Sequence, residues 1–358
     1  MNRLFPANDE SFDLLLPKIS TFEQAIRNTL RIDVYSRQPL LGGVSKAQVY
    51  RALVRVAYPY VRFPRKLKKI VLKFSSDRLF KIEEDKYADL PRKLRKHFVK
   101  FSTQRKQVDG RSVLVMPYLS NYYTLQELLF APRLQTRIEP KARQIAELLF
   151  DDLIDLQFSE KGLIQDKPSL VAHRLYLSTF EITFLKLLDA FRNFQKQISK
   201  AIGIFKEVCK KSSSFQSPFM TRIHGDCHSR NIMFDHVKMK KKFIDIDALE
   251  KEGDYLLDFG ELVADLIVYV PAKLCHFTES NPSPDITPSA NIFVNRIQEL
   301  LERFAEDSHN DIEWKRRYFL TNARFLLVML CTINPEEKKR ANYILSQAID
   351  ALERANQK

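Results

Sequence analysis

Residues 222–234 read Arg222-Ile223-His224-Gly225-Asp226-Cys227-His228-Ser229-Arg230-Asn231-Ile232-Met233-Phe234, and after a basic turn the chain returns as Phe243-Ile244-Asp245-Ile246-Asp247. Asp226 stands five positions before Asn231, and Asp245 fourteen after it. Two short apolar runs, Ile232–Phe234 and Phe243–Ile246, flank the turn from His236 to Lys242 and predict a hairpin. Such a hairpin brings Asn231 and Asp245 to the same end. A carboxylate, a carboxamide and a second carboxylate are the side chains that metal-assisted phosphoryl transfer uses. One orients a hydroxyl and accepts its proton, and two offer hard oxygens to Mg²⁺. Lys238, Lys240, Lys241 and Lys242 read as the solvated turn of the hairpin.

Working outward, the chain of 358 residues is long enough for two lobes, and a hydrophobic content of 45% marks it as globular. The longest apolar run, Phe325 to Ile333, is about half of the roughly 20 residues that a membrane span needs. Met1-Asn2-Arg3-Leu4-Phe5-Pro6 does not resemble a secretory signal. The four cysteines, Cys209, Cys227, Cys275 and Cys331, are scattered and form no CxxC, as expected of reduced thiols in a cytoplasmic protein. The whole net charge of +14 sits in the first 120 residues. That excess is either an attractive surface for an anionic partner or the solvated basic face of a small lobe.

Phe12 to Leu30 has helical spacing, within an expected N-terminal helical extension over residues 1–34. Tyr35–Leu41, Gln48–Ala57, Ile70–Phe74 and Arg111–Met116 read as strands, and Asp77–Phe98 as a helix broken or bent at Pro91. From Thr124 the pattern is mainly helical. Ala142–Gln157 carries an apolar stripe of Ile145, Leu148, Leu149, Leu153 and Leu156. Leu175–Cys209, Phe259–Tyr269, Ile292–Ala305, Asp311–Leu330 and Pro335–Ala355 are further helix candidates. The order predicts a β-rich lobe over residues 35–118, a helical lobe over 119–358, and a cleft between them.

The segment His224-Gly225-Asp226-x-His228-x-x-Asn231-Ile232 resembles the catalytic loop of the aminoglycoside phosphotransferase and choline kinase group, which has the protein-kinase-like fold. Phe243-Ile244-Asp245-Ile246-Asp247-Ala248-x4-Gly253-Asp254-x3-Asp258 is similar to the metal motif and following loop of that group. The resemblance covers about residues 35–270 and implies a two-lobed α+β fold. It also implies that ATP and Mg²⁺ are used to phosphorylate a hydroxyl of a small molecule. Asp226 then matches the catalytic base, Asn231 and Asp245 the metal ligands, and Asp258 a supporting aspartate. Asp258-Phe259-Gly260 spells the metal motif of protein kinases but lies too far from Asn231 to act as one. His224 is expected to brace the loop.

In the first third, Leu41-Gly42-Gly43-Val44-Ser45 is similar to the family's glycine-containing hairpin over the phosphates. Lys73 resembles the lysine on the α- and β-phosphates, with Glu83 preferred over Glu84 as its partner. Val113–Leu119 resembles the hinge, with adenine contacts around Met116 and Tyr118. Arg230 departs from the pattern, since a small residue is frequent there; it touches a phosphate or faces solvent. Two other readings stand beside this one: a serine/threonine protein kinase of the same fold, and a non-catalytic nucleotide- or anion-binding module. The short stretch from Asp245 to Asp258 speaks against the first, and the presence of Lys73, Asp226, Asn231 and Asp245 against the second.

Overall fold

A computed structural model describes residues 32–39, 48–56, 68–99, 106–108, 111–159, 173–211, 217–218, 220–277 and 284–357. The chain divides into two compact units, one of Met1–Lys81 with Lys100–Ser120, the other of Ile82–Val99 with Asn121–Lys358. The expected helix at Phe12–Leu30 and the glycine hairpin with Gly42, Gly43 and Ser45 lie outside the described residues.

The first unit is an antiparallel sheet of β1 (Ile32–Pro39), β2 (Gln48–Val56), β3 (Lys68–Ser75), β4 (Lys106–Val108) and β5 (Arg111–Pro117). The strand order is β1-β2-β3-β5-β4. β1 begins at Ile32 rather than Tyr35, because Ile32 and Val34 already pair with Val56 and Val54. Side chains alternate across a strand. Ile70, Leu72 and Phe74 therefore share one face of β3, where they pack with Tyr50, Ala52, Val108, Val113 and Val115. Lys73 points to the other face, between Val49 and Leu114 of the neighbouring strands, and is only 7% exposed.

Helix α1 (Asp77–Asp89) runs from the first unit into the second. It stops before Pro91, which has no N–H to continue the helix and disfavours helical backbone at Leu90. A short turn at Arg95–His97 follows.

The second unit holds β6 (Tyr123–Thr124), α2 (Leu125–Phe130), α3 (Ala142–Phe158), α4 (Thr179–Ala190), α5 (Gln195–Lys210) and β7 (Thr221–Ile223). Next come β8 (Ile232–Asp235), β9 (Lys240–Phe243), β10 (Glu250–Gly253) and α6 (Leu256–Ala264). It closes with α7 (Pro288–Arg303), α8 (Trp314–Leu330) and α9 (Lys338–Gln357). Thr124 and Glu127 form a capping box that starts α2. The apolar stripe of α3 is buried at Ile145, Leu149, Leu153 and Leu156, and Leu148 is half-buried at its margin. Phe180, Leu187, Phe205, Leu257, Leu320, Leu327, Ile344 and Leu352 unite α4, α5, α6, α8 and α9 in one core. The apolar run from Phe325 belongs to this core. Among the described residues, no helix is long and apolar enough to cross a membrane.

One buried polar cluster sets the start of α6. Arg317 of α8 is 0% exposed. Its Nε donates to Asp254 Oδ2 at 2.7 Å, and its Nη1 and Nη2 donate to the two Asp311 oxygens. Tyr176 donates to Asp254 and Tyr255 to Asp311, at 2.9 and 2.8 Å. Every acidic oxygen pair there has a donor, which is the condition for keeping such charges inside a protein. Gly260 lets α6 approach α8, since a Cβ at that position would lie 2.6 Å from Thr321 Cγ2.

Candidate active site

The hairpin expected around the basic turn is β8–β9, with Ile232 opposite Phe243 and Asp235 opposite Lys240. It ties together the two segments that carry the acidic motif. Ile244 N donates to Asn231 O and Asn231 N to His228 O, both at 2.9 Å. The loop from His224 to Asn231 connects β7 to β8 and lies over α6.

Three carboxylates of one helical run hold this loop by its backbone. Asp258 accepts the amides of His224 and Gly225, each at 2.9 Å, and Gln157 Nε2 donates to the same carboxylate at 3.0 Å. Glu261 accepts the Cys227 amide at 3.3 Å and pairs with Arg324. Asp265 accepts both the amide and the hydroxyl of Ser229. Positions 258, 261 and 265 are three and four apart, so they share one face of the helix and its continuation. Sequence reasoning found Asp258 and missed Glu261 and Asp265, whose spacing was the available signal. Burial raises the Asp258 carboxyl, with His224, the two amides and Gln157 pulling it back. Gly225 has φ of +81°, and a Cβ there would lie 2.2 Å from Ala248 O, so the turn before Asp226 requires glycine.

His224 is fully buried and its ring stacks on Phe98. Its Nε2 meets Ile244 O at 3.1 Å. A carbonyl can only accept, so Nε2 carries the hydrogen and ties the loop to the segment leading into Asp245.

Asp226 and Asn231 are in direct contact. Asn231 Nδ2 donates to Asp226 Oδ2 at 2.9 Å and to Asp226 O at 3.0 Å. With its nitrogen turned to Asp226, the carboxamide keeps Oδ1 for another partner. Partial burial raises the Asp226 carboxyl above its ordinary range; His224 opposes that shift and Asp245 adds to it. His228 Nε2 lies 3.6 Å from Asp226 Oδ2. Burial lowers the His228 imidazole to about 4, so it is neutral at neutral pH. Cys227 is buried and its thiol is raised well above the ordinary value, chiefly by burial, which makes it an unreactive packed side chain.

Asp245 adopts left-handed backbone, φ 62° and ψ 73°, which a non-glycine residue holds only under local constraint. Its carboxylate, that of Asp247 and that of Glu83 in α1 offer oxygens within 4.8 Å of one another. This is the group of metal-capable side chains found among the described residues. Three carboxylates suit a hard divalent cation. Lys86 fastens α1 here, donating to Asp247 O at 2.6 Å. Glu83 thus stands on the second unit, beside the acidic motif. Lys73 stands on the first unit with Met116, which pairs with Val71, and Tyr118, whose hydroxyl receives Arg51 Nη1 at 3.4 Å.

No family model matches the chain, and no curated protein does. Solved structures do. A thermostable mutant of aminoglycoside phosphotransferase APH(4)-Ia, in ternary complex with ADP and hygromycin B, is similar over 94% of this chain and 98% of its own. Its TM-score is 0.55 at 12% identity. Plasmodium vivax ethanolamine kinase is similar over 90% of this chain and 82% of its own, with a TM-score of 0.50 at 10% identity. The likeness is one of fold, and the protein has the protein-kinase-like fold.

Proposed function

We propose that this protein is an ATP- and Mg²⁺-dependent phosphotransferase that moves the γ-phosphate of ATP to a hydroxyl of a small molecule. The observation that carries the reading is the Asn231–Asp226 contact on a backbone held by Asp258, Glu261 and Asp265. A loop fixed at the amides of His224, Gly225, Cys227 and Ser229 presents its carboxylate with little freedom, which is what positioning catalysis needs. Asp226 orients the acceptor hydroxyl and takes its proton as the new O–P bond forms and the bond from the γ-phosphorus to the ADP oxygen breaks. The raised Asp226 carboxyl is a better proton acceptor than an exposed aspartate.

The donor set fits Mg²⁺. Asp245, with Asn231 Oδ1, would hold it, and Asp247 and Glu83 lie within reach of the same place. Bound there, the ion neutralises phosphate charge. Lys73 is assigned to the α- and β-phosphates, Gly42, Gly43 and Ser45 to the phosphate loop, and Met116 and Tyr118 to adenine. His224 and Asp258 support the loop. Glu83 serves as partner of Lys73 or as part of the acidic group. All four cysteines are free thiols, which agrees with a cytoplasmic setting.

A small acceptor is favoured over a protein. From Asp245 to α6 the chain is a tight turn at Ile246–Ala248 and the strand β10, with no segment of activation-loop length. A screen of hydroxylated metabolites for ADP release tests the proposal. Turnover that requires Mg²⁺ and a hydroxyl compound supports it, and nucleotide binding without turnover on any acceptor counts against it.

A further inference from the structure

Arg230 is the charged side chain of the loop that the surrounding carboxylates leave unpaired. Its guanidinium lies over the ring of Tyr269, 5.8 Å from Cζ to the ring centre. Its Nε and Nη2 are buried, and neither has a hydrogen-bond partner among the described residues. Buried N–H groups of a guanidinium cost free energy until an acceptor meets them, and the planar fork matches a carboxylate or phosphate. Arg230 as a whole is half-buried, so rotation of its long side chain is enough to turn that edge toward a ligand.

The oxygens of the nearby carboxylates Asp258, Glu261 and Asp265 are engaged elsewhere, except Asp265 Oδ1. Asp258 accepts the His224 and Gly225 amides, Glu261 the Cys227 amide and Arg324, and Asp265 Oδ2 accepts Ser229 twice. Asp265 Oδ1 is buried without a hydrogen-bond partner among the described residues. Other cations gather at the same end of the unit. The charge of Arg230 acts on Lys273, whose ammonium is lowered first by burial and then by that charge. Arg340 donates to the carbonyls of Ala272 and Lys273. Arg230 stands four residues after Asp226 on the same loop, and its charge is among the influences that lower the Asp226 carboxyl.

We infer that the acceptor carries a fixed negative charge, a carboxylate or a phosphate ester, and that Arg230, seated on Tyr269, binds that group while the hydroxyl faces Asp226. This rests on the phosphotransferase reading above. It makes Arg230 a specificity residue that selects against amino alcohols and aminoglycosides, whose charge is of the wrong sign.

The test is ADP release by the full chain with Mg²⁺-ATP on three groups of acceptors. One group holds hydroxycarboxylates such as glycerate and gluconate. Another holds sugar phosphates such as glucose 6-phosphate. The last holds glucose, choline and hygromycin B. Turnover confined to one or both anionic groups is expected, and whichever responds identifies the anion. For the preferred acceptor, Arg230→Gln should raise KM about 10- to 100-fold with kcat nearly kept, and Arg230→Lys should recover part of the loss. Equal or better kcat/KM on glucose, choline or hygromycin B overturns the inference, as does an unchanged acceptor KM in Arg230→Gln. A rise in the KM for ATP instead assigns Arg230 to the nucleotide and also overturns it. Silence from every acceptor while Mg²⁺-ATP still raises Tm overturns it too, whereas no rise in Tm removes the phosphotransferase reading beneath it.

Discussion

The Gly225 amide donates to Asp258 Oδ1 at 2.9 Å, immediately before the residue assigned as catalytic base. The His224 amide donates to the other oxygen at the same distance, so one buried carboxylate fixes two consecutive peptides. Asp258→Ala leaves both amides and Gln157 without that acceptor. It should cost about 3 kcal/mol of stability, from about 1–3 kcal/mol per unmet buried group. Urea unfolding measures the loss. A change within 1 kcal/mol would mean that water replaces the carboxylate and that Asp258 does not set the loop.

Gly225→Ala tests the same turn from the steric side. The added methyl meets Ala248 O, and φ of +81° disfavours any L side chain. The expected outcome is a loss of about 2 kcal/mol or more. Turnover should fall further than stability alone explains, because Asp226 moves with the backbone.

The visible part of this site in the sequence was the part packed into a short segment. Asp226, Asn231 and Asp245 sit within twenty residues, and a hairpin between them follows from two apolar runs around a lysine turn. Lys73 was picked out within the strand at Ile70–Phe74, and the structure sets it on the face away from Ile70, Leu72 and Phe74. Glu261 and Asp265 were overlooked because acids inside an apolar helix carry no sign of what they bond, although their spacing from Asp258 marks one helical face. The proximity of Glu83 to Asp245 and Asp247 could not be read from the chain, since only the fold brings together residues so distant in sequence. Glu83 was read as a partner for Lys73 because the family resemblance implies a glutamate on the helix that follows.

His228 gives a pH dependence of stability with a definite sign. Its folded imidazole titrates at about 4 because it is buried, against an ordinary 6.5. Between those values the unfolded chain binds a proton that the folded chain does not. Stability contributed by neutral His228 is therefore complete above the ordinary value and is lost as pH falls toward 4. The full swing is about 3 kcal/mol, taken at about 1.36 kcal/mol per pH unit. Urea unfolding of wild type and His228→Gln across that window should show a shallower acid loss in the variant. Parallel curves would show that His228 is not the group responsible.

Arg317 should matter to stability without touching chemistry. Arg317→Leu strips the donors from Asp254 and Asp311 in the interior and should cost about 3–5 kcal/mol. A Tm unchanged from wild type would show that the two aspartates find other partners.

On the proposed mechanism Asp226 serves transfer and Asp245 serves nucleotide binding, so the two roles can be separated. Asp245→Ala should weaken Mg²⁺-ATP binding itself, seen as a lost Tm rise with nucleotide. The acid limb of turnover should lie above the ordinary aspartate value of 3.8, because burial and then Asp245 raise the Asp226 carboxyl and only its ionised form accepts a proton.

Transfer of radiolabel from the γ-phosphate of ATP to a hydroxylated acceptor, compared between wild type and Asp226→Ala, is the most direct measurement. The account predicts a labelled, phosphorylated acceptor with wild type and a fall of about 10²- to 10⁴-fold in Asp226→Ala, with Mg²⁺-ATP binding kept. Undiminished transfer in Asp226→Ala, or label released only as inorganic phosphate by both proteins, would contradict it.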